Sequence, residues 1–292
     1  MPSSRDFSGL WIPLITPFAG ESVDHPALTR LVKHYAAAGV HGFVACGSTG
    51  EAAALDKQEQ LAVLDTVLAA AGPLPVVMGL SGYHLVQTVA WVKELAQRPI
   101  AGLLVPAPHY IRPSQAGLVQ WFTALADASD KPLVVYDIPY RTGATLALDT
   151  LLTLAAHPHI QAIKDCGGDA GKTQALITDG RLQVLAGEDA QVFSTLALGG
   201  AGSITASAHL CTSRFVAVMH SLRRGDLPHA RALWQPLVPL INAVFAEPNP
   251  AVIKAMLAQQ GLVQDGLRLP MTGASLEARQ RVHTMVDKLA LD

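Results

Sequence analysis

The chain has little of what marks several specialised protein classes. Only 15% of its residues are charged, the formal net charge is -2, and no basic block is longer than Arg223-Arg224. Nucleic acid and anionic membranes bind clustered lysine and arginine, so neither is an expected partner. Cysteine is scarce: Cys46, Cys166 and Cys211 are an odd number without CxxC spacing. That argues against a disulfide framework and a cysteine zinc site, and fits a reducing cytoplasm. The histidines form no metal set either, because His157 and His159 flank Pro158 and no H-x-x-x-H pair occurs. No apolar run approaches the ~18 residues of a membrane span, and Met1 to Gly9 has no basic segment leading into an apolar one. The expectation is a soluble, unexported, cytoplasmic protein whose partners are small molecules or other proteins.

Apolar residues, by contrast, make up half of the 292 residues, ample for a large core. Short apolar runs alternate with longer amphipathic ones. The predicted strands are Leu10 to Thr16, Gly42 to Cys46, Pro75 to Gly79, Gly102 to Val105, Leu133 to Asp137, Ile160 to Lys164, Gln183 to Ala186 and Gly202 to Thr205. Eight strands alternating with helical patterns predict a (β/α)8 TIM barrel, an α/β fold. A doubly wound sheet uses the same alternation, but it usually has a glycine-rich turn after its first strand, and here that strand ends in Thr16-Pro17-Phe18. Beyond Leu210 the pattern is nearly all helical, with Ser213 to Arg223, Leu227 to Phe245, Ala251 to Gln260 and Ser275 to Leu291. The expected domains are a barrel over 1–224 and a C-terminal helical extension over 225–292.

In such a barrel the reactive groups come from the C-terminal ends of strands. One lysine, Lys164, ends a predicted strand, whereas Lys33, Lys57, Lys93, Lys172, Lys254 and Lys288 fall in helical patterns. An ammonium there is either paired, for example with Asp165, or is a desolvated amine able to attack a carbonyl carbon. Gly47-Ser48-Thr49-Gly50-Glu51 lacks the spacing and lysine of a P-loop. It suits a small carboxylate, or a tight turn with a Ser-Thr cap opening the helix after Asp56. Tyr136 is either core or a hydroxyl at the barrel mouth. Arg141, after Pro139, is either a surface arginine or a two-pronged carboxylate grip.

Gly47 to Glu51, Tyr136-x-x-Pro139-x-Arg141-Thr142-Gly143 and Lys164 resemble the signatures of the dihydrodipicolinate synthase / N-acetylneuraminate lyase family of pyruvate-dependent class I aldolases. Tyr110-Ile111-Arg112-Pro113-Ser114-Gln115 and Glu247-Pro248-Asn249-Pro250 look similar to that family too, so the likeness runs from about Leu10 to Thr272. It implies a barrel with a helical extension, assembled as a homotetramer (a dimer of dimers). It also implies a Schiff base between Lys164 and pyruvate, with no other cofactor and no metal. By resemblance, Tyr136, Ser48 and Tyr110 relay protons, Tyr110 acting in a neighbouring subunit. Ser48 and Thr49 hold the pyruvate carboxylate, Arg141 binds the carboxylate of the second substrate, and the backbone around Gly187 and Ile204 lines the pocket. Arg141, and Ala190 in place of the lyases' glutamate, favour the synthase side, which joins pyruvate to aspartate semialdehyde for lysine and diaminopimelate. Ser48, His109, Asp137, Tyr140 and Cys166-Gly167 depart from that side's usual residues. They leave a paralogous aldolase or dehydratase, acting on another 2-keto or sugar acid, as the alternative.

Overall fold

The computed structural model describes residues 5–291. Its strands are β1 (Gly9–Pro13), β2 (Phe18–Ala19), β3 (Ser22–Val23), β4 (Gly42–Ala45), β5 (Val76–Gly79), β6 (Gly102–Pro106), β7 (Leu133–Asp137), β8 (Ile160–Asp165), β9 (Gln183–Ala186) and β10 (Gly202–Ile204). Eight of them close a barrel in the order β1-β10-β9-β8-β7-β6-β5-β4, and β2 with β3 forms a separate two-stranded ribbon. All eight predicted strands are present. They were visible as apolar runs because nearly every residue in them is buried, as expected when a parallel sheet is covered on both faces. The short ribbon was not foreseen; it turns at Gly20, which has φ +60°.

The helices are α1 (His25–Ala37), α2 (Lys57–Ala70), α3 (Leu85–Leu95), α4 (Gln115–Ala126), α5 (Pro139–Thr142), α6 (Leu148–Leu154), α7 (Ala170–Asp179), α8 (Val192–Ala197), α9 (Thr212–Arg223), α10 (Leu227–Trp234), α11 (Leu237–Val244), α12 (Ala251–Gln259) and α13 (Leu276–Leu291). Their starts follow from cap chemistry. The Asp24, Ser114, Asp169 and Asp226 side chains each accept a first-turn backbone N–H. Asp56 and Glu59 form a reciprocal capping box at α2, so Ser48 and Thr49 do not cap that helix. The expected helix from Leu227 to Phe245 is two helices, α10 and α11, interrupted at Gln235-Pro236. Proline lacks the N–H an uninterrupted helix needs there, and its ring crowds the carbonyl one turn back.

Two compact units divide the chain. One joins the segment ending at Gly9 to Pro75–Ile204, and the other joins Leu10–Leu74 to the segment from Thr205 onward. In the first, β5 to β10 are parallel, and the register sets Tyr136 opposite Lys164 and Asp165 opposite Ala186. In the second, β1 pairs with β4. There, fully buried His209 ties its own turn to β1's continuation: Nδ1 meets the Ala206 carbonyl at 2.7 Å, and Nε2 accepts the Ile15 N–H at 3.3 Å. Those partners require a neutral ring protonated on Nδ1, and burial pushes its pKa down to about 4. Below the ordinary value of 6.5 the unfolded chain takes up this proton and the fold does not. Stability should therefore fall between pH 6.5 and about 4, by ~3 kcal/mol from this group. Urea denaturation across that range, compared between the native chain and His209→Gln, measures the difference.

Candidate active site

Lys164 is the penultimate residue of β8, with 6% of its surface exposed. Its Nζ lies 3.3 Å from the Tyr136 hydroxyl and 4.3 Å from the centre of that ring. No carboxylate forms an ion pair with it among the described residues. Asp165, the alternative partner considered from sequence, points to the other face of the strand, as the alternation of side chains demands. There its carboxylate accepts from the Thr173 hydroxyl and from the Gly167 N–H.

Two other lysines show what an ordinary buried ammonium requires. Lys172 is 7% exposed and pairs with Asp137 while donating to the Leu146 carbonyl. Lys254 is 0% exposed, pairs with Glu51 and donates to the Gly266 carbonyl. Burial alone therefore does not single out Lys164; the lack of a counter-ion does. Burial pushes its pKa down and Arg141 pushes the same way, against the opposing pull of Cys166, Asp189 and Glu188. A neutral amine beside a phenol hydroxyl is a nucleophile with a proton carrier at hand.

Gly187, one residue past β9, walls the lysine in. A side chain there would collide with Cys166 Sγ and sit 2.8 Å from Lys164 Cγ, so only glycine fits. Ile204 is buried on β10. Arg141 lies exposed on α5, a single turn opened by Pro139 and closed by Gly143 at φ +74°. Its guanidinium carbon is 6.0 Å from the centre of the Tyr140 ring. Tyr110 is 89% exposed and adopts φ +76°. In the lysine's unit the structure thus gathers Lys164, Tyr136 and Gly187, with Arg141 close enough to shift the amine, while Tyr110 projects outward.

Ser48 and Thr49 belong to the other unit. Thr49 is buried and its hydroxyl accepts from the Asn249 amide at 2.9 Å, whereas Ser48 is exposed. Their loop is held firmly: Thr16 donates to the Gly50 carbonyl, and Glu51, at φ +53°, is fixed by Lys254 and by the Arg268 N–H. Lys254 and Asn249 are the supports that sequence reasoning left without a role. A signal for the first was present, a lone lysine amid the apolar residues Ala251-Val252-Ile253 and Ala255-Met256-Leu257. His157 engages Asp127, and among the described residues no group of three or more His, Cys, Asp or Glu side chains could hold a metal ion. Among the described residues no helix is long and apolar enough to cross a membrane.

Known proteins resemble this chain in sequence and fold. A profile described as the Dihydrodipicolinate synthetase family matches residues 6–289. A Clostridium acetobutylicum protein named 4-hydroxy-tetrahydrodipicolinate synthase 2 is 36% identical over 279 residues, covering 94% of this chain and 98% of its own. The Limosilactobacillus fermentum protein named 4-hydroxy-tetrahydrodipicolinate synthase is 38% identical, covering 93% of this chain and 88% of its own. Among solved structures, the chloride-inhibited dihydrodipicolinate synthase of Acinetobacter baumannii complexed with pyruvate superposes with a TM-score of 0.94 at 29% identity, over 98% of this chain and 99% of that one.

Proposed function

The chain belongs to the dihydrodipicolinate synthetase family, and on that premise we propose that it acts as a 4-hydroxy-tetrahydrodipicolinate synthase. It is a Schiff-base-forming lyase that condenses pyruvate with L-aspartate 4-semialdehyde on the route to lysine and diaminopimelate, with no cofactor beyond the lysine-pyruvate imine. The observation that carries this reading is the buried amine of Lys164, held against Tyr136 and in no ion pair with a carboxylate among the described residues.

The neutral amine attacks C2 of pyruvate, and the former keto oxygen leaves as water once protonated. Tyr136, 3.3 Å from Nζ, is placed to move those protons. The resulting iminium draws electrons from the C3–H bond, and loss of that proton gives an enamine. The enamine carbon attacks the aldehyde carbon of the second substrate. The amino group of that substrate then attacks C2, closing the ring and releasing Lys164. Arg141 suits the carboxylate of the aldehyde, since a guanidinium fork matches a carboxylate with two parallel hydrogen bonds. Ser48 and Thr49 hold the pyruvate carboxylate, and Gly187 and Ile204 line the pocket. Ser48 and Tyr110 extend the proton relay from Tyr136, Tyr110 from the neighbouring subunit of a homotetramer. The 89% exposure of Tyr110 supports a residue that serves another copy of the chain. Three unpaired cysteines fit a cytoplasmic enzyme.

Purified protein given pyruvate and L-aspartate 4-semialdehyde should consume both and form the cyclic product, followed by mass spectrometry. Turnover of pyruvate only with a different aldehyde would overturn the reading.

A further inference from the structure

Tyr136 and Lys164, which meet in the site, are each followed by an acid. Asp137 comes after Tyr136 and Asp165 after Lys164, and the strand register sets the two acids opposite one another, as it does the phenol and the amine. Because side chains alternate along a strand, both acids point away from the site. There α7 takes hold of them with consecutive residues. Lys172 pairs with the Asp137 carboxylate at 2.5 Å, and the Thr173 hydroxyl donates to the Asp165 carboxylate at 2.5 Å. All four residues are buried.

Lys172 does more than neutralise an acid. Its amine also donates to the Leu146 carbonyl at 3.1 Å, and Asp137 and Leu146 lie on either side of α5, so one ammonium ties down both ends of the segment that follows β7. Gly167 leaves room for the cluster: a Cβ there would come within 2.7 Å of both Asp137 Oδ2 and Lys172 Nζ and 3.1 Å from Asp165 Oδ1. The anchoring has something to hold. The ladder between β7 and β8 shifts register between Leu133 and Val134, so pairing at the start of the strands does not dictate pairing at their ends. Strands that are apolar on both faces carry little polar information about register either. A slide of β7's end would carry the Tyr136 hydroxyl away from the 3.3 Å it keeps from Lys164 Nζ.

We propose that Lys172 is a positioning residue: through Asp137 it fixes the end of β7, and so holds the Tyr136 hydroxyl where it can move protons at the Lys164 amine during imine formation. This rests on the reading of Lys164 as the imine-forming lysine. The effect is kinetic, since reacting groups displaced by about 1 Å lose rate by up to ~100-fold.

Lys172→Met alone would strand a buried carboxylate, and unfolding would then be confused with misalignment. The test therefore replaces both partners, Lys172→Met with Asp137→Leu, in the native chain and in Tyr136→Phe. Timed borohydride quenching at saturating pyruvate gives the rate and final yield of the adduct. Peptide mass spectrometry places the adduct on Lys164, and urea denaturation reports the fold. In the native background the double change should slow adduct formation by about 10–100-fold, with the final yield and the urea midpoint near native. In Tyr136→Phe the same double change should alter the rate by less than about 2-fold, because the group it positions is already gone. A native rate in the double variant, or an equal slowing in both backgrounds, would overturn the inference. So would a double variant that no longer folds, because the pair would then serve the fold as a whole. Native enzyme that forms no adduct on Lys164 overturns the imine reading and this inference together, whereas native enzyme that forms it, beside a double variant of unchanged rate, overturns this inference alone.

Discussion

Lys164→Met should abolish turnover and at the same time stabilise the fold. Removing the nucleophile removes the covalent route altogether, which corresponds to a fall in kcat of roughly 10⁴–10⁶-fold. Methionine fills similar volume without a charge to desolvate, and the change breaks no ion pair of Lys164 among the described residues. The expected gain is about 1–2 kcal/mol near neutral pH, typical of a substitution that relieves a functional compromise. Its pH dependence follows from the direction of the pKa shift. Burial holds the folded-state pKa below the ordinary 10.5, so between the two values the unfolded chain binds this proton and the fold does not. The cost of Lys164 is therefore greatest below its folded pKa and fades as pH rises to 10.5. Chemical denaturation at pH 7 and at pH 10, with borohydride trapping in parallel, checks both halves. A trapped pyruvate adduct that survives in the variant would show that Lys164 is not the imine-forming lysine, and a variant less stable than the native chain would show that it is not a buried lone amine.

That combination also explains why Lys164 could be picked out from sequence while its surroundings could not. A lysine at the end of an apolar run is visible to periodicity, because parallel barrel strands are apolar on both faces and end abruptly at the functional rim. The strand alone left two readings open. What decides between them is the direction of Asp165 and the identity of the residue opposite, Tyr136, and the second depends on a register between strands 28 residues apart. The split of α10 from α11 at Pro236 was written in the sequence and rests on one residue type. The Asp137–Lys172 and Glu51–Lys254 pairs were not: each joins a strand end or loop to a distant helix, and no local pattern names the partner.

Lys254→Met should have the opposite sign to Lys164→Met although both remove a buried lysine. Here the amine has a counter-ion, so its removal strands the Glu51 carboxylate, which is itself buried, and leaves the Gly266 carbonyl without its donor. Breaking one side of a buried pair costs about 3–5 kcal/mol, mainly through the charge left behind. The damage would not stay at the helix. Phe18 is flanked by the Lys254 amine at 4.1 Å and the Arg268 guanidinium at 4.6 Å, and Arg268 also donates its backbone N–H to Glu51. Glu51 sits in the left-handed region at φ +53°, two residues after Thr49, and that backbone shape depends on these anchors. Lys254→Met should therefore lower the urea midpoint and also raise the KM for pyruvate, whose carboxylate Ser48 and Thr49 are proposed to hold. The double change Lys254→Met with Glu51→Gln separates the causes. Neutralising the stranded acid should restore most of the lost stability, while KM stays raised because the loop's anchor is still missing. Recovery of neither would mean that lost packing around Phe18, rather than an unpaired carboxylate, dominates the loss.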